Sequence, residues 1–96
     1  METRTLEYWH RRRLRRQVQS QRLTKQARAD LERIAALLAR EFGAKRILVF
    51  GSLVQGRFNV ESDIDLAVEG IPPGDYFAAL AAVNRLTPAW VALTPL

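Results

Sequence analysis

In the stretch VFGSLVQGRFNVESDIDLAV, residues 49–68, Asp63 and Asp65 flank Ile64 and follow Gly51-Ser52 after ten residues. Two acids so close repel each other, and folding alone does not call for them. Side chains alternate along a strand, so the pair points one way with Cα atoms about 6.5–7 Å apart, while Ile64 and Leu66 face inward. Carboxylates at that spacing can hold a hard divalent cation, or share two metals about 3.5–4 Å apart that clamp phosphate oxygens. Gly51, closing an apolar strand, lets a phosphate approach the backbone, and the start of a short helix after it offers unpaired N–H groups. The Ser52 hydroxyl adds a hydrogen bond. These pieces make a place for a nucleoside triphosphate bridging from Gly51-Ser52 to metal on Asp63 and Asp65. Each dipeptide alone is a common turn or a solvated face; the spacing between them carries the reading.

The elements that position these residues follow from periodicity and breakers. From Met1 to Phe42 there is neither Gly nor Pro, so nothing stops a helix once started. Leu23, Ala27, Leu31, Ile34, Leu38 and Phe42 recur at three- and four-residue steps, which predicts one apolar face packed on a sheet over 23–42. Upstream, Leu6, Trp9, Leu14 and Val18 are sparser and HRRRLRR puts charge all round, so residues 1–22 form a basic helical arm, with a bend or frayed end near Gln19 to Gln21. Residues 23–96 form the domain proper. KRILVFG reads as a central strand and SLVQG as about one helical turn ended by Gly56. DIDLAVEG alternates acid and apolar residues as a two-faced strand, and DYFAALAAVNRL is a short helix with Asp75 as N-cap. AWVALTPL is the last strand. Trp90 and the stripe Phe77, Leu80, Val83 are expected in the core.

With 96 residues the chain has room for one domain, and 48% apolar with 26% charged residues is the composition of a globular protein. It has no cysteine, which excludes disulfides, thiolate metal sites and cysteine nucleophiles. No apolar run approaches the roughly 18 residues of a membrane span, and no signal-peptide pattern follows the Arg-rich start, so a cytoplasmic protein is expected. Residues 1–28 hold nine Arg or Lys against Glu2 and Glu7, a balance of +7 within a total of +5. The arm lacks regularly interleaved aromatics, since Tyr8 and Trp9 stand alone, so contact with an acidic partner surface or solvent is the first expectation and nucleic-acid phosphate the second. Trp9 on this arm suggests a homodimer or partner contact. His10 is the lone histidine and lies far in sequence from the acids.

The segment GSLVQGRFNVESDIDL resembles the GSx10DxD signature of the DNA polymerase β-like nucleotidyltransferases, in the small form called the minimal nucleotidyltransferase or MNT domain. The resemblance is tight over residues 44–70 and looser to residue 96. It implies that Gly51, Ser52 and Ser62 contact the nucleotide and that Asp63 and Asp65 are catalytic and bind two Mg²⁺ ions, with ATP as substrate. Many MNT proteins are antitoxins paired with a HEPN ribonuclease toxin, and the characterised type transfers AMP from ATP to a tyrosine of that toxin. The implied fold is α/β: a small mixed three-stranded sheet backed by helices on one face, its open face carrying the acids, with a long N-terminal helix.

Two departures stand out. The third acid of the family lies in a VDL-like segment of the last strand, where this chain has Val91-Ala92-Leu93. Ala92 at that position implies an impaired enzyme, whether the acid was lost naturally or substituted. That leaves two functional expectations: an adenylyltransferase antitoxin weakened by Ala92, or a binding antitoxin that neutralises its toxin by occlusion. Nucleotidyl transfer to RNA or a small molecule would keep the same site and change only the acceptor. The second departure is Gln55, where related domains often carry arginine before the glycine.

Overall fold

The computed structural model describes residues 2–96, with side chains from Trp9 onward; those of Leu6 and Tyr8 lie outside the described residues. Helix α1 runs unbroken from Glu2 to Phe42, so the bend expected near Gln19 to Gln21 does not occur. With no Gly or Pro in that span, each backbone N–H beyond the first turn keeps its intrahelical acceptor, and like-charge repulsion of a few tenths of a kcal/mol per pair does not break the helix.

Three strands follow: β1 (Arg46–Phe50), β2 (Ile64–Glu69) and β3 (Val91–Pro95), with helix α2 (Tyr76–Val83) between the last two. The sheet order is β1-β2-β3, β1 antiparallel and β3 parallel to β2. KRILVFG is therefore an edge strand rather than a central one. Leu48 and Phe50 remain 44% and 46% exposed on the uncovered face, so an apolar run here marks an open sheet face and not burial on both sides. The central strand is β2, whose Ile64, Leu66 and Val68 are fully buried and alternate with half-buried Asp65 and Ala67.

Both helices cover the face that Ile64, Leu66 and Val68 present. Ala27, Ile34 and Leu38 of α1 meet Ala79 and Val83 of α2 and Val91 of β3 in one core. Of the expected core residues Val83 is in it, but three are outside: Phe77 is 85% and Trp90 55% exposed, and Leu80 is half-buried. On α2, about two turns long, Ala79 and Val83 supply the inward stripe, which leaves Phe77 on the outer side. Asp75 occupies the N-cap position of α2, but its side chain makes no capping hydrogen bond.

The molecule measures 62 × 20 × 17 Å, the long dimension being that of α1. The C-terminal end of α1 lies by the start of β1, where the Ala44 N–H donates to the Leu38 carbonyl and the Lys45 N–H to the Glu69 carbonyl. At the opposite end of the sheet, the Ser20 hydroxyl donates to the Phe58 carbonyl at 2.6 Å. Residues before Ser20 thus project past the end of the sheet where β1 stops and β2 begins. None of the described helices is long and apolar enough to cross a membrane.

Candidate functional site

Gly51 follows directly on β1 and turns the chain with φ +81°, a left-handed conformation that glycine adopts without strain. Residues 51–56 make a single helical turn: the Gln55 N–H donates to the Gly51 carbonyl at 3.1 Å. Gly56, at φ +74°, ends it, and the Arg57 N–H returns to the Ser52 carbonyl at 2.9 Å, the six-to-one bond of a Schellman stop. Among the described residues no backbone acceptor takes up the N–H groups of Ser52, Leu53 or Val54, as expected at the start of a helical turn. Leu53, buried to 2% exposure, pins the turn to the core and leaves Ser52 half-buried at its opening.

Asp63 is exposed and immediately precedes β2, while Asp65 is half-buried within it. The Ile64 N–H between them donates to the Trp90 carbonyl at 2.8 Å, which fixes the extended backbone from which both acids project. Across the sheet Asp65 is flanked by Phe50 on one side and Ala92 on the other. The approach of β1 to Asp65 is close: a Cβ placed on Gly51 would lie 2.6 Å from Asp65 Oδ2. Gly51 and Asp65, fourteen residues apart in the sequence, thus share one small volume.

Ser62 sits at the end of a tight loop in which its hydroxyl accepts from the Asn59 N–H at 3.0 Å, its own N–H donates to the Asn59 carbonyl, and the Asn59 side chain accepts from the Glu61 N–H. In this arrangement Ser62 orders the approach to Asp63. Gln55, the second departure noted above, accepts a side-chain hydrogen bond from Arg57, which brings a guanidinium beside this position.

One positioning residue escaped the sequence reading. The Asn84 side chain accepts from the Val91 N–H at 2.7 Å and donates to the Val91 carbonyl at 3.0 Å and the Leu80 carbonyl at 2.9 Å. It serves as a partner for the start of β3 on its free edge and so fixes Ala92 beside Asp65. An Asn four residues before Pro88 was the available signal, but it reads equally as a helix end. His10 is exposed on the arm, away from the acids.

The donor set bears on metal. Gly51 leaves room at Asp65 for an oxygen ligand, and Asp63 and Asp65 are hard carboxylate donors of the kind Mg²⁺ takes together with substrate phosphates. Among the described residues no cluster of three His, Cys, Asp or Glu side chains is present. The residues therefore fit a cation held by two carboxylates and a polyphosphate, one acid short of a three-carboxylate site.

A family model described as "Nucleotidyltransferase domain" matches residues 31–85, more than half of the chain and all of the Gly51–Asp65 site. The chain belongs to the nucleotidyltransferase domain family, members of which generally use Mg²⁺ and a nucleoside triphosphate. Neither the curated proteins nor the solved structures include a match to it. The mixed sheet, long first helix and short second helix agree with the nucleotidyltransferase fold.

Proposed function

We propose that this chain is an antitoxin of the MNT type, built for Mg²⁺-dependent transfer of AMP from ATP to a hydroxyl of a partner protein, a tyrosine of a HEPN ribonuclease. In its present form it would be nearly inactive. The observation that carries this reading is the register of β2 and β3, in which Ala92 lies beside Asp65 where a third carboxylate would complete the set.

In this reading the turn at Gly51 and Ser52 holds the triphosphate through its free N–H groups and the Ser52 hydroxyl, and Asp63 and Asp65 would hold the Mg²⁺ that draws the α-phosphate to them. Bound Mg²⁺ would neutralise charge on the phosphates and on the leaving pyrophosphate. The acceptor oxygen forms a bond to the α-phosphorus as the bond to the pyrophosphate oxygen breaks, and the hydroxyl proton passes to a base. An acid at position 92 would supply that base. General-base contributions are typically about 10²- to 10⁴-fold in rate, so a chain with alanine there keeps nucleotide binding and loses most of the chemistry.

The same alanine favours a second reading, neutralisation of the toxin by occlusion with the nucleotide site as a remnant. Intact-mass spectrometry of the partner after incubation with Mg-ATP separates the two. An AMP-sized increment with the Ala92→Asp protein and little with the parent supports transfer. No increment with either, alongside tight binding, leaves occlusion as the function.

A further inference from the structure

We infer that the N-terminal half of α1 is a binding track for a nucleic-acid phosphate backbone, leading toward the Gly51–Gly56 turn. From Tyr8 to Ala29 the sequence holds eight Arg or Lys and no acid. On a helix those residues span about 33 Å, or one cation per roughly 4 Å. Every one of these bases is exposed. The ion pair present among the described residues, Arg33–Asp30, lies outside this stretch, so none of the described acids pairs with these bases.

The distribution of the charge favours a polyanion over an acidic protein. At about 100° per residue, Arg11, Arg15 and Arg22 share one side of the helix, Arg12 and Arg16 a second, and Arg13 a third. A protein interface needs a contiguous apolar centre, and the described side chains of this half offer only the pair Leu14 and Val18 on one face, while Trp9 lies on the opposite side with Arg12 stacked 5.5 Å from its ring centre. Phosphates arrayed on both flanks of a helix match charge on several sides, and guanidinium groups grip phosphate oxygens bidentately. Trp9 is the one aromatic among the described side chains of this half and carries Arg12 over its ring, so no series of stacking platforms is presented and the contact is to backbone and not to sequence.

The structure also says where the track leads. Lys25 and Arg28 line a hollow of about 340 Å³ with Ser20, Gln21, Thr24 and Gly56, so the cationic surface reaches the last residue of the Gly51–Gly56 turn. The inference stands apart from the transferase reading, because it uses neither Asp63 nor Asp65.

The test is fluorescence anisotropy of the full chain with a labelled 20-nucleotide single-stranded RNA and a duplex DNA of the same sequence, across about 50 to 200 mM KCl. The expected result is binding to both that weakens linearly in log[salt], by about 0.7 per phosphate contacted on single strands and 0.9 on duplex. Arg11→Gln, Arg15→Gln and Arg22→Gln together should flatten the RNA slope by about two, with helicity unchanged by circular dichroism because Gln keeps the helix. Arg85→Gln on the body should leave it unaltered. A preference for RNA or for DNA identifies which backbone is held. Absence of binding at 50 mM salt, a slope indifferent to the triple substitution, or displacement by polyglutamate as effective as by unlabelled RNA would each overturn the inference, the last assigning the arm to an acidic protein.

Discussion

The carboxylate of Asp65 occupies the space that a side chain on Gly51 would need: an added Cβ would stand 2.6 Å from Oδ2. That distance links the end of β1 to the middle strand and explains why a glycine precedes Ser52. Two independent physical requirements meet at one residue, since Gly51 also has φ +81°.

Gly51→Ala should therefore damage the protein twice. The left-handed backbone costs an L-residue about 1 to 2 kcal/mol, and the methyl group must push Asp65 out of place. Urea denaturation should show a loss of at least that size, and stabilisation by Mg-ATP in thermal melts should disappear. A Gly51→Ala protein that kept its full Mg-ATP response would show that Asp65 does not work from its observed position.

Ala92→Asp places a second carboxylate beside Asp65 on an adjacent strand, with backbones about 4.8 Å apart. Like charges directly opposite in a sheet are destabilising, so without divalent ions the variant should melt below the parent. Mg²⁺ with ATP should reverse the order, because binding to the native state stabilises it by mass action. Equal responses of variant and parent to Mg²⁺ would mean that position 92 does not face the same ion.

Much of this site was legible in the sequence because it is local. Gly51, Ser52, Asp63 and Asp65 lie within fifteen residues, and the alternation in DIDLAVEG already put the acids on one face and Ile64 and Leu66 on the other. The sequence also singled out Ala92, and the observed register sets it beside Asp65. What escaped the reading is non-local. An apolar pentapeptide has the same composition at an edge as in the centre of a sheet, so RILVF was misplaced until its partners were known. Trp90 and Phe77 are apolar by type but exposed by topology. The role of Asn84 depends on a strand seven residues further on.

Asn84→Ala should cost about 1 to 3 kcal/mol, because Val91 at the edge of β3 would lose its side-chain partners for both N–H and carbonyl. The loss should fall on β3 first, as faster amide exchange at Val91 measured by NMR. Combined with Ala92→Asp it should also blunt the gain in Mg-ATP response, since the new acid would be less well placed. Unchanged exchange at Val91 would show that the strand is held by β2 alone.

Asp30 is a charge on the apolar face of α1, 1% exposed, and the sequence pattern passed over it. Its Oδ1 accepts hydrogen bonds from Gln26 and Arg33, and Arg33 reaches on to the Leu86 carbonyl at 3.2 Å; Oδ2 is buried without a partner. The residue lines a cleft of about 150 Å³ whose wall is largely apolar (Leu23, Ala27, Phe58, Pro88) but also includes Gln26, Asn59 and Thr87, none of which bonds the second oxygen. Replacing a buried ion by an apolar side chain of similar size is commonly neutral or stabilising, and Arg33, 61% exposed, retains water when its partner is removed. Asp30→Leu should accordingly melt at or above the parent temperature, while Asp30→Ala, which enlarges the cleft, should melt below Asp30→Leu. If Asp30→Leu instead lost more than about 2 kcal/mol in urea denaturation, the carboxylate would be contributing more than its desolvation costs, and the Gln26–Asp30–Arg33 chain to Leu86 would be what anchors α1 to the segment before β3.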